Sequence, residues 1–266
     1  MHFRETVTSR SNPLVKRLRA LLGDSARSGL AVLEGWKLVE EALAAGVEIM
    51  ECAVAAGVVE GPHPDLLARL EQRGAAVRVL APDVLAALSE TQTSQGNLAI
   101  ARRPAFDEEQ IFHGTPLIVV GVGIQNPGNV GALLRTAEAA GATGAYLTAE
   151  SADSMSWKAL RGAMGSAFRV PHVSGFRVDE VLARAAAHRV ATIATVASSD
   201  GDSYEAMDFT GPIAFLFGNE GAGLPADVAA RADRRAAIPM AAPVESLNVA
   251  VAAGILLFEA ARQRRG

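Results

Sequence analysis

Residues 116–122, Pro-Leu-Ile-Val-Val-Gly-Val, form an apolar run with no polar face. A strand wet on one side alternates apolar and polar residues. A run without alternation suits a parallel strand covered on both faces. A glycine-rich turn, Gly121 to Gly131, follows at once, and Val130 to Ala140 then carries helical apolar spacing. Strand, glycine turn and helix in succession commit the second half of the chain to an α/β fold around a parallel sheet. Ala145–Thr148, Val190–Val196 and Ile213–Phe217 read as further strands. Val178–Ala187 reads as a helix and Leu247–Arg262 as a long closing one.

The first half alternates in the same way on a smaller scale. Asn12-Pro13 is an N-cap followed by a helix-initiating proline, with Leu14, Val15, Leu18, Leu21 and Leu22 at helical spacing behind it. Strands are expected over Leu30–Leu33, Val47–Val54, Ala76–Leu80 and Asn97–Ala101. Helices are expected over Trp36–Ala45, Pro64–Arg73 and Val84–Leu88. The polar stretch between these halves is the best linker candidate. The chain therefore divides into a smaller α/β domain over 1–103, a linker over 104–114 and a second α/β domain over 115–266.

Cys52 is the only cysteine among 266 residues, so no intrachain disulfide can form, which fits a reducing compartment. The N-terminal residues lack the apolar stretch of a signal peptide. The longest apolar run, Val249–Phe258, is too short for a membrane span of roughly 20 residues. A cytoplasmic location without membrane attachment is expected, and no metal site. The net charge of −4 gives no general affinity for nucleic acid. Basic residues are nevertheless concentrated near the start, where Arg4, Arg10, Lys16, Arg17, Arg19 and Arg27 face only Glu5 and Asp24. Arg262, Arg264 and Arg265 form a second cluster in the tail. Each cluster is either a solvated helix face or a phosphate-contacting surface.

Three segments of the second half follow strands and are costly in folding terms. The first, Gly121-Val-Gly-Ile-Gln-Asn-Pro-Gly-Asn-Val-Gly131, permits a tight backbone path into a helix N-terminus that can hold an anion. Asn129 either caps that helix or meets a ligand, and Arg135 lies under two turns inside it. A dinucleotide fingerprint fails here, because Asn126 stands where the third glycine is required. A nicotinamide-dependent dehydrogenase is therefore a distant reading. The second segment, Phe217-Gly-Asn-Glu-Gly-Ala-Gly-Leu-Pro225, sets Glu220 among glycines directly after a buried strand. The third runs from Ile238 to Ala253, with Ser246 a candidate N-cap of the final helix and Asn248 in its first turn.

Taken in order, Asn126-Pro-Gly-Asn-Val-Gly-Ala-Leu-Leu-Arg-Thr-Ala, Leu216-Phe-Gly-Asn-Glu-Gly-Ala-Gly-Leu and Ile238-Pro-Met with Ser246-Leu-Asn-Val-Ala-Val-Ala resemble the three motifs of the SpoU (TrmH) family of RNA ribose 2′-O-methyltransferases. Ser11-Asn-Pro-Leu-Val-Lys16, Leu33-Glu-Gly-Trp-Lys37, Leu88-Ser-Glu-Thr and Gln95-Gly96 resemble that family's ribosomal-protein-like substrate-binding domain. The family usually carries an apolar residue after the Gln-Gly pair, where this chain has Asn97.

The resemblance implies a trefoil knot in the second domain, S-adenosylmethionine as cofactor and a homodimer. It implies Thr195, Gly218, Ile238 and Leu247 at the cofactor, and Asn129, Arg135, Glu220, Ser246 and Asn248 around the target ribose. Arg10, Lys16, Arg17 and Arg27 are the candidate RNA contacts of the first domain. The separate first domain favours ribosomal over transfer RNA as substrate. A transfer-RNA methyltransferase and a non-catalytic RNA-binding protein of the same fold are the alternatives. A guanidinium with a pKa above about 12 is a poor base, so Arg135 is expected to clamp the adjacent phosphate and stabilise a developing alkoxide.

Overall fold

The computed structural model describes residues 6–23, 28–58, 63–89, 95–197, 200–219, 221–244 and 246–265. Arg4, Arg27, Glu90, Thr91 and Glu220, singled out above, lie outside them. The chain separates into two compact units, Met1–Pro104 with Met155–Phe168, and Ala105–Ser154 with Arg169–Gly266.

The first unit is built from β1 (Thr6–Val7), α1 (Pro13–Gly23), β2 (Leu30–Glu34), α2 (Trp36–Ala44), β3 (Ile49–Ala55), α3 (Pro64–Gln72), β4 (Ala76–Leu80), α4 (Pro82–Ala86) and β5 (Asn97–Arg102). Asn12 caps α1, its Oδ1 accepting from the Leu14 amide at 2.9 Å. The apolar spacing of α1 then turns Val15, Leu18 and Leu21 onto a core with Leu80, Val84, Leu85, Leu98 and Ile100. The sheet runs β1-β4-β3-β5-β2 and is mixed, because β5 lies antiparallel to both β2 and β3.

Asn97 opens β5 fully buried, and neither its Oδ1 nor its Nδ2 has a hydrogen-bond partner among the described residues. A buried amide that gives up water without a replacement bond costs about 1–3 kcal/mol. Asn97→Leu keeps the branched outline of the side chain, in a somewhat larger volume, and removes the unpaired polar atoms. It is expected to stabilise the first unit by about 1–2 kcal/mol, read as a higher midpoint in urea unfolding. A lower midpoint would show that the amide has a partner when the protein is in water.

The second half of the sequence supplies β6 (Leu117–Gly121), α5 (Pro127–Ala140), β7 (Gly144–Thr148), α6 (Trp157–Ala163), β8 (His172–Phe176), α7 (Val178–Ala187), β9 (Ala191–Val196), β10 (Asp202–Ser203), β11 (Ile213–Phe217), α8 (Ala226–Arg231), β12 (Arg234–Ala237) and α9 (Val249–Arg265). Its sheet runs β10-β12-β9-β11-β6-β7-β8, and every described pairing is parallel. Every residue of β6, β7 and β11 is buried, as an apolar run at the middle of a parallel sheet requires. The chain leaves β6 toward β7 and β8, then returns to β9 and β11 on the other side. The order therefore reverses between β6 and β11, and in open α/β sheets ligands collect beyond the carboxyl ends of the strands near such a reversal.

Two features depart from the boundaries read in the sequence. The stretch 104–114 is not a free connector. Ile111 is fully buried, its carbonyl accepts from the Thr143 hydroxyl at 2.7 Å, and Glu108 accepts from the Tyr146 hydroxyl and the Arg184 Nε, both at 2.6 Å. Burial, reinforced by that carboxylate, pushes the Tyr146 phenol well above its ordinary pKa. The second departure is α6, which belongs to the first unit although it lies deep in the second half of the sequence. Its Trp157 indole donates to Glu34 at 2.7 Å, and the Ser89 hydroxyl donates to the other oxygen of the same carboxylate.

The basic tail is largely structural. Arg262 pairs with Glu259, and Arg264 donates to the carbonyls of Phe209, Thr115, Pro116 and Gly211. Ser154 and His172 form a buried pair at 2.9 Å, with His172 Nδ1 donating to the Val170 carbonyl. Burial lowers the His172 pKa, so the ring is held neutral as packing, with both nitrogens already engaged.

Candidate active site

Three segments follow the carboxyl ends of β6, β11 and β12, and each is braced by its own sequence. At the end of β6, Gly123 has φ +63° and its amide donates to the Thr148 hydroxyl at 3.0 Å. Asn126, not Asn129, caps α5, accepting from the Gly128 amide at 2.8 Å, with Pro127 in the first turn. Asn129 is thereby freed from capping and stands in the opening turn of the helix. Arg135 is exposed two turns on and forms no hydrogen bond or ion pair with the described residues.

Beyond β11 the chain folds back on itself. The Asn219 and Gly223 backbones exchange hydrogen bonds at 3.1 and 2.8 Å. Gly218 is pressed so closely beneath this loop that a Cβ there would sit 2.1 Å from the Gly223 carbonyl carbon and the Leu224 nitrogen. The Asn219 side chain closes the loop, its Oδ1 accepting from the Gly221 amide at 2.9 Å. Its Nδ2 reaches across to the Gly123 carbonyl at 2.9 Å, joining the second segment to the first.

The third segment is joined to the first by another asparagine. Asn248 is the cap of α9, its Oδ1 accepting from the Ala250 amide at 2.9 Å, so Ser246 does not hold that position. With Oδ1 so engaged, Asn248 Nδ2 donates to Asn129 Oδ1 at 3.1 Å. Residues 119 positions apart in the chain thus share one hydrogen bond that ties the third segment to the first.

A cleft of about 1420 Å³ lies at the carboxyl ends of β9, β11 and β12. Thr195, Gly218, Ile238 and Leu247, the expected cofactor residues, all line it, as does Ser246. Asn129, Arg135 and Asn248 are not part of its lining. The walls combine aliphatic side chains, including Leu224 and Val249, with the backbone of Gly218, Asn219, Gly221, Ala222 and Gly223. Asp200 and Arg235 are the charged residues among the described lining. Apolar walls, exposed backbone and one charge of each sign fit a nucleoside joined to a zwitterionic amino acid. Thr195 Oγ1 donates to the Leu216 carbonyl at 2.8 Å, which leaves the hydroxyl oxygen able only to accept from a ligand.

Sequence reasoning placed Asn219 inside a motif without giving it a task. The signal was present: an asparagine directly after a glycine at the end of a buried strand is a turn-former whose side chain replaces backbone partners. Of the first unit's candidates, Arg10 and Lys16 are exposed, whereas Arg17 is ion-paired with Glu51.

Loops tied together at the reversal point of a parallel sheet place the chain among α/β proteins that bind a ligand beyond the carboxyl ends of their strands. Residues 116–258 match the model of the SpoU rRNA Methylase family, and residues 12–99 match that of the MRM3-like substrate binding domain. The chain belongs to the SpoU rRNA methylase family. It is 36% identical to an uncharacterised tRNA/rRNA methyltransferase of Synechocystis, over 97% of this chain and 94% of that one. It is 32% identical to the 23S rRNA (guanosine(2553)-2′-O)-methyltransferase RlmP of Bacillus subtilis, over 88% of this chain and 90% of the relative. The crystal structure of the SpoU methyltransferase AviRb from Streptomyces viridochromogenes in complex with AdoMet superposes with a TM-score of 0.84 at 29% identity, covering 96% of this chain and 99% of that one.

Proposed function

We propose that this protein is an S-adenosylmethionine-dependent methyltransferase acting on a ribose 2′-hydroxyl of ribosomal RNA. The observation that carries the reading is the pair of asparagine braces, Asn219 to Gly123 and Asn248 to Asn129, which gather three distant motif segments in front of one cleft. Thr195, Gly218, Ile238 and Leu247 would hold the cofactor, largely through backbone groups and aliphatic contact. Bound there, the cofactor supplies a methyl already activated on a sulfonium, so the protein need only position and deprotonate the acceptor.

Asn129, Ser246 and Asn248, together with Arg135 and Glu220, surround the ribose in this reading. Asn129 and Asn248 fix each other's amides and so present a defined set of donors and acceptors to the sugar. Arg135, charged and unpaired among the described residues, grips the neighbouring phosphate and stabilises negative charge developing on the 2′-oxygen. The polypeptide around the cleft threads as the trefoil knot of the family. The first unit binds RNA, with Arg10 and Lys16 available to phosphates. A homodimer forms through α9, whose Val251 and Phe258, seven residues apart on one face, are 52% and 47% exposed. No helix of the described residues is long and apolar enough to cross a membrane, in keeping with a cytoplasmic enzyme.

The test is direct. The protein is incubated with radiolabelled cofactor and, separately, with unmodified ribosomal and transfer RNA, and the labelled nucleotide is mapped. Label on a ribose of ribosomal RNA is expected. Label on transfer RNA would move the substrate, and cofactor binding without transfer to either RNA would leave a non-catalytic binder.

A further inference from the structure

Within the first unit a second concavity of about 430 Å³ lies where α6 meets β2 and α2. Glu34, Lys37, Gln95, Lys158, Arg161 and Met164 line it. Its electrostatic character follows from which of these charges are already spent. Both oxygens of the buried Glu34 carboxylate are taken, one by the Ser89 hydroxyl and the other by the Trp157 indole. Lys37 is partly offset by Glu41 at 3.0 Å. Lys158 and Arg161 are exposed and have no ion pair among the described residues. The Arg161 guanidinium sits 4.8 Å from the centroid of the Trp157 ring, which holds its flat fork in place. The Gln95 side chain accepts from the Trp36 amide at 3.2 Å through its oxygen, and its amide nitrogen has no described partner.

The backbone at the end of α6 is unusual as well. Met164 is one of two non-glycine residues of the described chain with positive φ, at 49°. Such a conformation is sparsely populated and persists only where the surroundings impose it. Here it ends α6, the Met164 amide donating to the Leu160 carbonyl at 3.1 Å. Gly165 is so close to α2 that a Cβ on it would lie 2.6 Å from the Glu41 Cβ. The result is a thioether side chain left 41% exposed at the rim of a cationic hollow.

We infer that this hollow is a nucleotide subsite for the substrate RNA, in which Lys158 and Arg161 grip phosphodiester oxygens and Met164 packs on a base. The unspent cations, the free amide donor and the polarizable apolar rim match the parts of one nucleotide. The subsite rests on the reading of the protein as an RNA methyltransferase. It adds that two of its phosphate ligands come from the segment 155–168, outside the stretch that matches a substrate-binding domain.

The full chain is titrated with in-vitro-transcribed 23S ribosomal RNA at several salt concentrations. Wild type, Lys158→Gln and the double variant Lys158→Glu with Arg161→Glu are compared. The double variant is expected to bind RNA roughly tenfold or more weakly. The slope of log affinity against log salt should be shallower by about 0.7 for each phosphate of a single strand that is no longer neutralised. Lys158→Gln should lie between the two, and cofactor affinity and Tm should not move. If the double variant loses Tm, the exposed Lys158→Gln decides alone. Wild-type affinity and salt slope in the variants overturn the subsite while leaving the methyltransferase reading intact. Failure of the wild type to bind or methylate the RNA overturns both.

Discussion

Replacing Arg135 with alanine is expected to lower RNA methylation on the order of 10²–10³-fold while leaving cofactor affinity unchanged. The expectation follows from where the side chain stands. It is exposed on α5, has no ion pair among the described residues and is not part of the cleft lining. An arginine that stabilises charge as it develops contributes in the transition state and little before it, so kcat should fall more than KM rises. Calorimetry with S-adenosylmethionine and single-turnover methylation separate the two effects. A parallel loss of cofactor affinity would assign Arg135 to the cofactor instead. Arg135→Lys sharpens the question of its chemistry. A phosphate clamp predicts reduced activity with an unchanged pH-rate profile, whereas a titrating limb that moves with the substitution would make this residue the base.

Gly218→Ala should damage the other half of the site. The added methyl would meet the Gly223 carbonyl carbon and the Leu224 nitrogen at 2.1 Å and the Gly223 oxygen at 2.3 Å. All three are backbone atoms, so no side chain can swing away, and the loop held by the Asn219–Gly223 hydrogen bonds must open. Overpacking of this kind costs about 1–3 kcal/mol, which corresponds to roughly 5- to 150-fold in cofactor affinity if the strain is relieved by opening the cleft. Gly211→Ala, with nothing within 4 Å of the new methyl, serves as the control and should bind cofactor as the wild type does. Undiminished affinity in Gly218→Ala would mean that the loop does not form the cofactor wall.

The parallel core of the second unit was readable because its strands are continuous apolar runs, and Leu117–Gly121 and Ile213–Phe217 are found where their composition places them. The elements that escaped were short or polar. Strand β8 contains Ser174 and Gly175, and β12 is half arginine, so neither carries an apolar pattern. Helix α6 is seven residues long, and nothing local in it tells that Trp157 finds Glu34 across 123 positions. Within the site, the types of residue were legible and their duties were not. Asn126, Asn129 and Asn248 are chemically alike, and which one caps a helix depends on where each helix starts, a boundary that propensity leaves uncertain by a few residues. The basic tail misled for a related reason. Charge patterning sees Arg264 as free, yet its guanidinium is consumed by four carbonyls brought to it by the fold.

The excursion of residues 155–168 into the first unit makes the peptide cross between bodies three times, at 104/105, 154/155 and 168/169. Neither body therefore corresponds to one uninterrupted stretch of gene. A graft that joins residues 1–104 to a foreign catalytic partner would arrive without the tryptophan that its buried Glu34 was shaped to receive. Inheritance of such a chain favours drift of the whole over exchange of its halves, and libraries built by swapping N-terminal modules between relatives should carry the 155–168 segment along with them.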